Sequence, residues 1–337
     1  MQACHTISRR RWFEMVGAAG ALALAGPART AWAQSTKRIE RLAPELDAII
    51  DTSQAIRELA TGFGGDIGPA EGPVWIAEGH YLLFNDIQTS RRMKYTPGQA
   101  VVVAKTPTNE ANGLTRDLQG RLISAEHLTR RVTREDPDGS ITVVSNNFQG
   151  KRLLRPNDVI VKSDGSIYFT DPGGPLAPDQ FDVTIAGVYR VSADLGTISL
   201  IVDDLIGPNG LAFSPDEKIL YIIESRGVPT RKILAYDVSP SGDKLSNKRV
   251  FVDAGPGTPD GFRVDIDGNL WCGWGMGDPE LDGVVVFAPD GVMIGRIALP
   301  ERCANLCFGG VKRNRLFMAA SQSIYALYVN TQGAPRG

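Results

Sequence analysis

Six times along this chain a polar or glycine-bearing turn is followed by a short apolar run: AEGHYLLFND from Ala77, DLQGRLISAE from Asp117, SDGSIYFTD from Ser163, PDEKILYIIES from Pro215, DIDGNLWCGW from Asp265 and RNRLFMAAS from Arg313. Apolar runs bounded by turn formers read as strands, and a repeat of roughly 40–50 residues reads as one supersecondary unit stacked on copies of itself. After each of the first five comes a second hairpin pattern, MKYTPGQAVVV, RVTREDPDGSITVV, GVYRVSADLGTISLIV, ILAYDVSPSGDKLSNKRVFV and VVVFAPDGVMIGRI. Two hairpins make four strands, which is one propeller blade. The expected fold is therefore all-β, a six-bladed β-propeller of four-stranded blades over residues 55–330. A β-sandwich with a second domain leaves the similar spacing of the six repeats unexplained.

The sixth repeat has only SIYALYV left, one strand short. An unfilled blade would expose a sheet edge, so Ala55–Phe63, AIRELATGF, is expected to supply the missing strand and close the ring from its N-terminal side. Helical signals are confined to Ala43–Ile56, overlapping the lead segment 34–54.

Just before each innermost strand the chain reads AEGPVW, ANGLTR, RPNDVIV, GPNGLAF, TPDGFRVD and CANLCFG. The corresponding residues are Glu71, Asn112, Asn157, Asn209, Asp260 and Asn305, separated by 41, 45, 52, 51 and 45 positions. Singly, such residues before a strand are ordinary turn formers. In register six times, they place oxygen-bearing side chains around one mouth of the central channel. That pattern suits a hard cation, since calcium takes about six to eight oxygen ligands. Glu71 and Asp260 balance a divalent charge, and Asn157 and Asn209 add amide oxygens. Ca2+ is the expected cofactor, with Mg2+, Mn2+ or Zn2+ as alternatives. Zinc suits the set least, because no His or Cys stands in the ring.

At these residues the chain resembles the SMP-30/gluconolactonase/luciferin-regenerating-enzyme-like family, and its bacterial gluconolactonase branch in particular. The motifs are AEGPVW, RPNDVIVKSDGSIYFTDP, GVYRV, PNGLAFSPDEKILYIIES and PDGFRVDIDGNLW, and the match runs from about Ala55 to Val329. The resemblance implies a six-bladed propeller with a central divalent metal and activity on sugar lactones. It assigns the metal to Glu71, Asn209 and Asp260, with Asn157 as a direct or water-mediated fourth ligand. It assigns the lactone contacts to Arg155 and Asn157. A further acidic substrate contact of the animal members has no clear counterpart, because the loop GGPLAPDQFDVTIAG differs, which leaves Asp171, Asp179 and Asp182 as candidates.

Lactone opening needs a polarised carbonyl and an activated water, and Asp260 is the expected general base. Nucleophilic triads are disfavoured by inventory. Beyond the leader only His80 and His127 remain, and no serine sits in a G-x-S-x-G context. His80 falls in a turn away from the mouth. His127 follows Glu126 at the end of a strand returning towards the ligand face; with Asn112, these two complete the candidate substrate contacts, a surface position being the plainer alternative for His127. Two other functions fit the same mouth: an organophosphate or phosphoester hydrolase, and a non-catalytic periplasmic binder stiffened by calcium.

Residues 1–33 read as an export signal. Arg9, Arg10 and Arg11 precede Trp12 and Phe13, then MVGAAGALALAG, then AWA before Gln34. The paired arginines suggest the twin-arginine (Tat) export machinery as partner of the precursor and the periplasm as destination. Without those residues the charge is 32 minus 37, or −5. No basic run or excess suggests nucleic acid or an anionic membrane as a partner, and the resemblance implies a small-molecule lactone. Cys272, Cys303 and Cys307 match no zinc spacing; buried free thiols are the plainer expectation, with one disulfide as the alternative.

Overall fold

Each pair of sequence hairpins folds as one antiparallel four-stranded sheet, in chain order from the innermost strand outward. In the computed structural model, which describes residues 37–173 and 186–335, blade one is Ala70–Ile76, Tyr81–Asp86, Arg91–Tyr95 and Val102–Lys105. The innermost strands of blades two to six are Ala111–Arg116, Val159–Val161, Pro208–Phe213, Pro259–Val264 and Cys303–Gly309. Each packs beside the next, and Cys303–Gly309 packs against Ala70–Ile76, so the six sheets close a ring. The leader 1–33, Asp179 and Asp182 lie outside the described residues. No helix among the described residues is long and apolar enough to cross a membrane.

Ring closure follows the expectation. Arg57–Thr61 pairs antiparallel with Ser323–Tyr328, with Arg57 opposite Ala326 and Thr61 opposite Ser323, and becomes the outer strand of blade six. One strand was not foreseen: Arg38–Arg41 pairs with Met293–Ala298 and gives blade five a fifth strand. The helical signal over Ala43–Ile56 shrinks to a single turn, Leu46–Ile49. So short a turn has no stability of its own. It persists because Leu46, Ile49 and Ile50 bury themselves in the cluster between blades five and six, where Gly295 leaves room for Leu46. The chain must then extend again to reach the edge of blade six.

The core lies between blades, so the middle strands are buried on both faces and read as continuous apolar runs such as Leu220–Ile223 and Val284–Phe287. Each such side chain contributes about 1.5–3 kcal/mol relative to exposure. Trp271 and Trp274 are buried there as well. The seam between blades one and two has the smallest apolar cluster, Ile76, Leu83 and Leu114. An ion-paired bridge supplements it: buried Arg92 and half-buried Lys105 of blade one reach Glu135 of blade two at 2.7 and 2.9 Å. Cys272, Cys303 and Cys307 are buried free thiols.

Candidate active site

The innermost strands begin irregularly. Pairing with the second strand slips at Glu71/Val74, Ala111/Leu114, Pro208/Leu211, Pro259/Phe262 and Cys303/Asn305, five bulges at one level of the ring. A bulge bends the strand and re-aims a side chain, which is why Glu71, Asn112, Asn209 and Asp260 turn towards the axis. Glycine follows each of these four. A Cβ on Gly113 would come within 2.7 Å of the Asn157 carbonyl, and one on Gly210 within 2.4 Å of the Asp260 carbonyl. Only bare backbone permits so tight a ring. In blade three Asn157 precedes the strand and Asp158 replaces the glycine, burying a third carboxylate at the axis.

Glu71, Asn112, Asn157, Asn209 and Asp260 line one cavity of about 370 Å3, together with Arg155 and His127. Asn305, the sixth member of the sequence pattern, does not line it. Its Nδ2 donates to Glu71 Oε2 at 3.0 Å while its Oδ1 accepts the Leu306 N–H, so it holds the glutamate in place. The Gly72 N–H also donates to Oε2, at 2.8 Å, and Oε1 receives no hydrogen bond from the described residues. The floor was missed by sequence reasoning. Buried Asp158 faces buried Arg263 at 3.6 Å, and Arg263 also lines a second cavity at the far ends of the innermost strands. Arg155 is therefore not paired with Asp158. Its guanidinium makes no ion pair or hydrogen bond among the described residues.

The centre is short of positive charge. Burial, then Asp260, then Asp158 push the Glu71 carboxyl up to about 8. Asp260 is also raised, chiefly by burial, although Arg302 at 3.4 Å and the neighbouring Asn209 amide oppose this. Asn112 Oδ1 and Asp158 Oδ2 are buried without hydrogen-bond partners. Among the described residues no three His, Cys, Asp or Glu form a ready metal-ligand cluster. The donor set is instead two carboxylates, Glu71 and Asp260, flanked by the Asn157 and Asn209 amides. Mutually repelling acids, the orphaned Asn112 Oδ1 and an unbonded Glu71 Oε1 fit a hard divalent cation.

Two expected substrate contacts are corrected. Glu126 does not line the cavity: it accepts from Arg131 at 2.7 Å, Thr133 at 3.0 Å, Asn109 at 3.1 Å and Thr129. Asp171 is buried beneath the mouth and accepts the backbone N–H groups of Leu154 and Arg155 at 2.7 and 2.5 Å. Burial raises its carboxyl to about 6 against those bonds. Both belong to a series that the sequence displays, an acid ending the second strand of blades one to four in LFND, ISAE, YFTD and YIIE. Asp86 accepts the Gly64 N–H and Glu224 those of Ile206, Gly207 and Arg226, so each acid pins a mouth loop.

His127 is buried in the cavity wall with Nε2 3.3 Å from Asn112 Nδ2 and no partner for Nδ1. Burial and then the Arg155 cation lower it to about 3, which favours the neutral imidazole at ordinary pH. His80 is exposed in its turn. Sequence reasoning also missed Arg226, Arg231 and Arg302 of the cavity wall. They lie in loops, where no periodic pattern marks a side chain as facing the axis.

A family model for the SMP-30/Gluconolactonase/LRE-like region matches residues 69–322. A gluconolactonase of Zymomonas mobilis is 34% identical over 324 residues, covering 88% of this chain and 87% of its own length. Among solved structures, a gluconolactonase of Xanthomonas campestris superposes with a TM-score of 0.76 at 32% identity, over 87% of this chain and 94% of its own. Regucalcin of Agrobacterium tumefaciens, a calcium-binding protein, shares the fold with a TM-score of 0.68 at 18% identity over 84% of this chain and 97% of its own.

Proposed function

This chain belongs to the SMP-30/gluconolactonase/LRE-like family, and from that premise we propose that it is a calcium-dependent lactonase of the periplasm that opens a sugar lactone. The observation that carries the reading is the junction of Glu71, Asn157, Asn209 and Asp260 in one cavity beside Arg155. Those four residues would hold the cation. When bound, it supplies Lewis acidity for the lactone carbonyl and lowers the pKa of a water.

The chain's own groups do the rest. Asp260 takes the proton of the attacking water, its carboxylate form favoured by Arg302. Glu71, fixed by Asn305 and the Gly72 N–H, balances charge and stays put. Arg155, its backbone N–H fixed by Asp171, and Asn157 orient the hydroxyls or ring oxygen of the substrate. The Asp158–Arg263 pair closes the channel beneath the site. Neutral His127 is a wall and a hydrogen-bonding group. The periplasmic setting rests on the twin-arginine pattern at Arg9–Phe13.

The test is acid release from glucono-1,5-lactone by the purified chain with calcium, with EDTA, and in Asp260→Asn. We expect turnover only with the ion and a fall in kcat of about 10²–10⁴ in the variant. Full activity in EDTA would remove the metal, and an unimpaired variant with native circular dichroism would remove the base. No acid release from any lactone, with hydrolysis of an aryl phosphate instead, would favour a phosphoester hydrolase.

A further inference from the structure

We propose that the preferred lactone carries a second, anionic group, a phosphate or carboxylate away from the reacting carbonyl, held by Arg226 and Arg231 with Arg155 beside them. This rests on the lactonase reading above and narrows its substrate class.

Arg226 and Arg231 bracket a short loop after the second strand of blade four, and both line the cavity with Arg155 of blade three. The loop is fixed. Arg226 Nη1 donates across to the Pro172 carbonyl at 2.9 Å, Arg231 Nε donates to the Ser225 carbonyl at 2.9 Å, and Glu224 accepts the Arg226 N–H at 3.0 Å. Those bonds use one side-chain N–H of each arginine; a guanidinium has five. Among the described residues none of the three arginines forms an ion pair, whereas Arg302 in the same wall is committed to Asp260. Arg155 and Arg226 are close enough to repel. Burial lowers the proton affinity of Arg155, Glu110 partly restores it, and Arg226, a smaller effect, lowers it again.

The charge balance points the same way. Among the described residues the only carboxylates lining the cavity are Glu71 and Asp260, and a dication would neutralise both. Four arginines then remain around a space of about 370 Å3, and three of them, Arg155, Arg226 and Arg231, form no ion pair among the described residues. A neutral sugar ring offers hydroxyls, which need acceptors as well as donors. The arginine side of the wall offers donors alone and is matched by an acceptor-only group, and the guanidinium fork fits carboxylate and phosphate through paired bonds.

The experiment compares kcat/KM of the calcium-loaded protein on D-glucono-1,5-lactone, its 6-phosphate and a D-glucarolactone. We expect one anionic lactone to lead the neutral one by at least about tenfold, or about 1.4 kcal/mol. The lead should shrink in about 1 M NaCl, where the screening length is about 3 Å, and fall severalfold in Arg226→Gln and in Arg231→Gln. Which anionic substrate leads distinguishes phosphate from carboxylate. A neutral lactone used as well as both, or a lead untouched by either substitution, overturns the inference while the lactonase reading stands. If no lactone turns over, calorimetric titration decides. Tighter binding of 6-phosphogluconate than of gluconate, lost in Arg226→Gln, keeps the anion site, and equal binding refutes it.

Discussion

Replacing Glu71 with Gln should make the metal-stripped protein more stable at neutral pH, although it removes a proposed metal ligand. In the stripped chain Glu71 is raised from its ordinary 4.5 to about 8 by burial, Asp260 and Asp158. Below pH 4.5 folded and unfolded chains both hold the proton, so the group has no effect on stability. As the pH rises, the unfolded chain releases it first, and the folded state loses stability until about pH 8. One unit is about 1.4 kcal/mol, so the interval from pH 5 to 7 costs about 2–3 kcal/mol. That is roughly 5 °C in Tm for a chain of this size. Glu71→Gln cannot titrate, so scanning calorimetry in EDTA should find its Tm flatter by that amount between pH 5 and 7. With saturating calcium the order should reverse, because the carboxylate then has a counter-charge that the amide lacks. Parallel Tm–pH curves for wild type and variant in EDTA would refute the electrostatic account of this centre.

The rate should lack a histidine limb: with His127 lowered to about 3, kcat/KM should show no inflection at pH 6–7 that His127→Gln abolishes, and finding one would make it an acid–base group. Arg263→Met strips buried Asp158 of its cation and should cost about 3–5 kcal/mol in urea unfolding, with Asp158→Asn in the same chain recovering part of the loss; an unchanged midpoint would mean that the pair does not support the ring.

The architecture was legible because its signal is periodic. Turn and strand alternate at fixed spacing, and the missing strand of blade six predicted where Arg57–Thr61 would go. The mouth was legible for a related reason: Glu71, Asn112, Asn209 and Asp260 each precede a glycine in register. Two things were hidden. A residue one step beyond the pattern can be the one that reaches the axis, as Asp158 does where blades one, two, four and five have glycine. An acid near the site can serve the protein's own donors instead of substrate, as Glu126 does for neighbouring side chains and Asp171 for backbone amides. The second was recoverable, since Asp86 and Glu224 end equivalent strands with the same chemistry. Arg38–Arg41 gave no signal, because a lone edge strand has neither a partner pattern nor a regular interval.

The acids that end the second strands have an engineering consequence. Asp86, Glu126, Asp171 and Glu224 each accept hydrogen bonds from the connector that enters their blade from the one before, so each length of mouth is anchored at a strand end of the blade it leads into. Such segments can be exchanged one at a time. Grafting a relative's version of 225–231 between Glu224 and Lys232 should re-cut one wall of the cavity while the opposite wall keeps its form, and a propeller of this kind can change what it accepts piecemeal without rebuilding its centre.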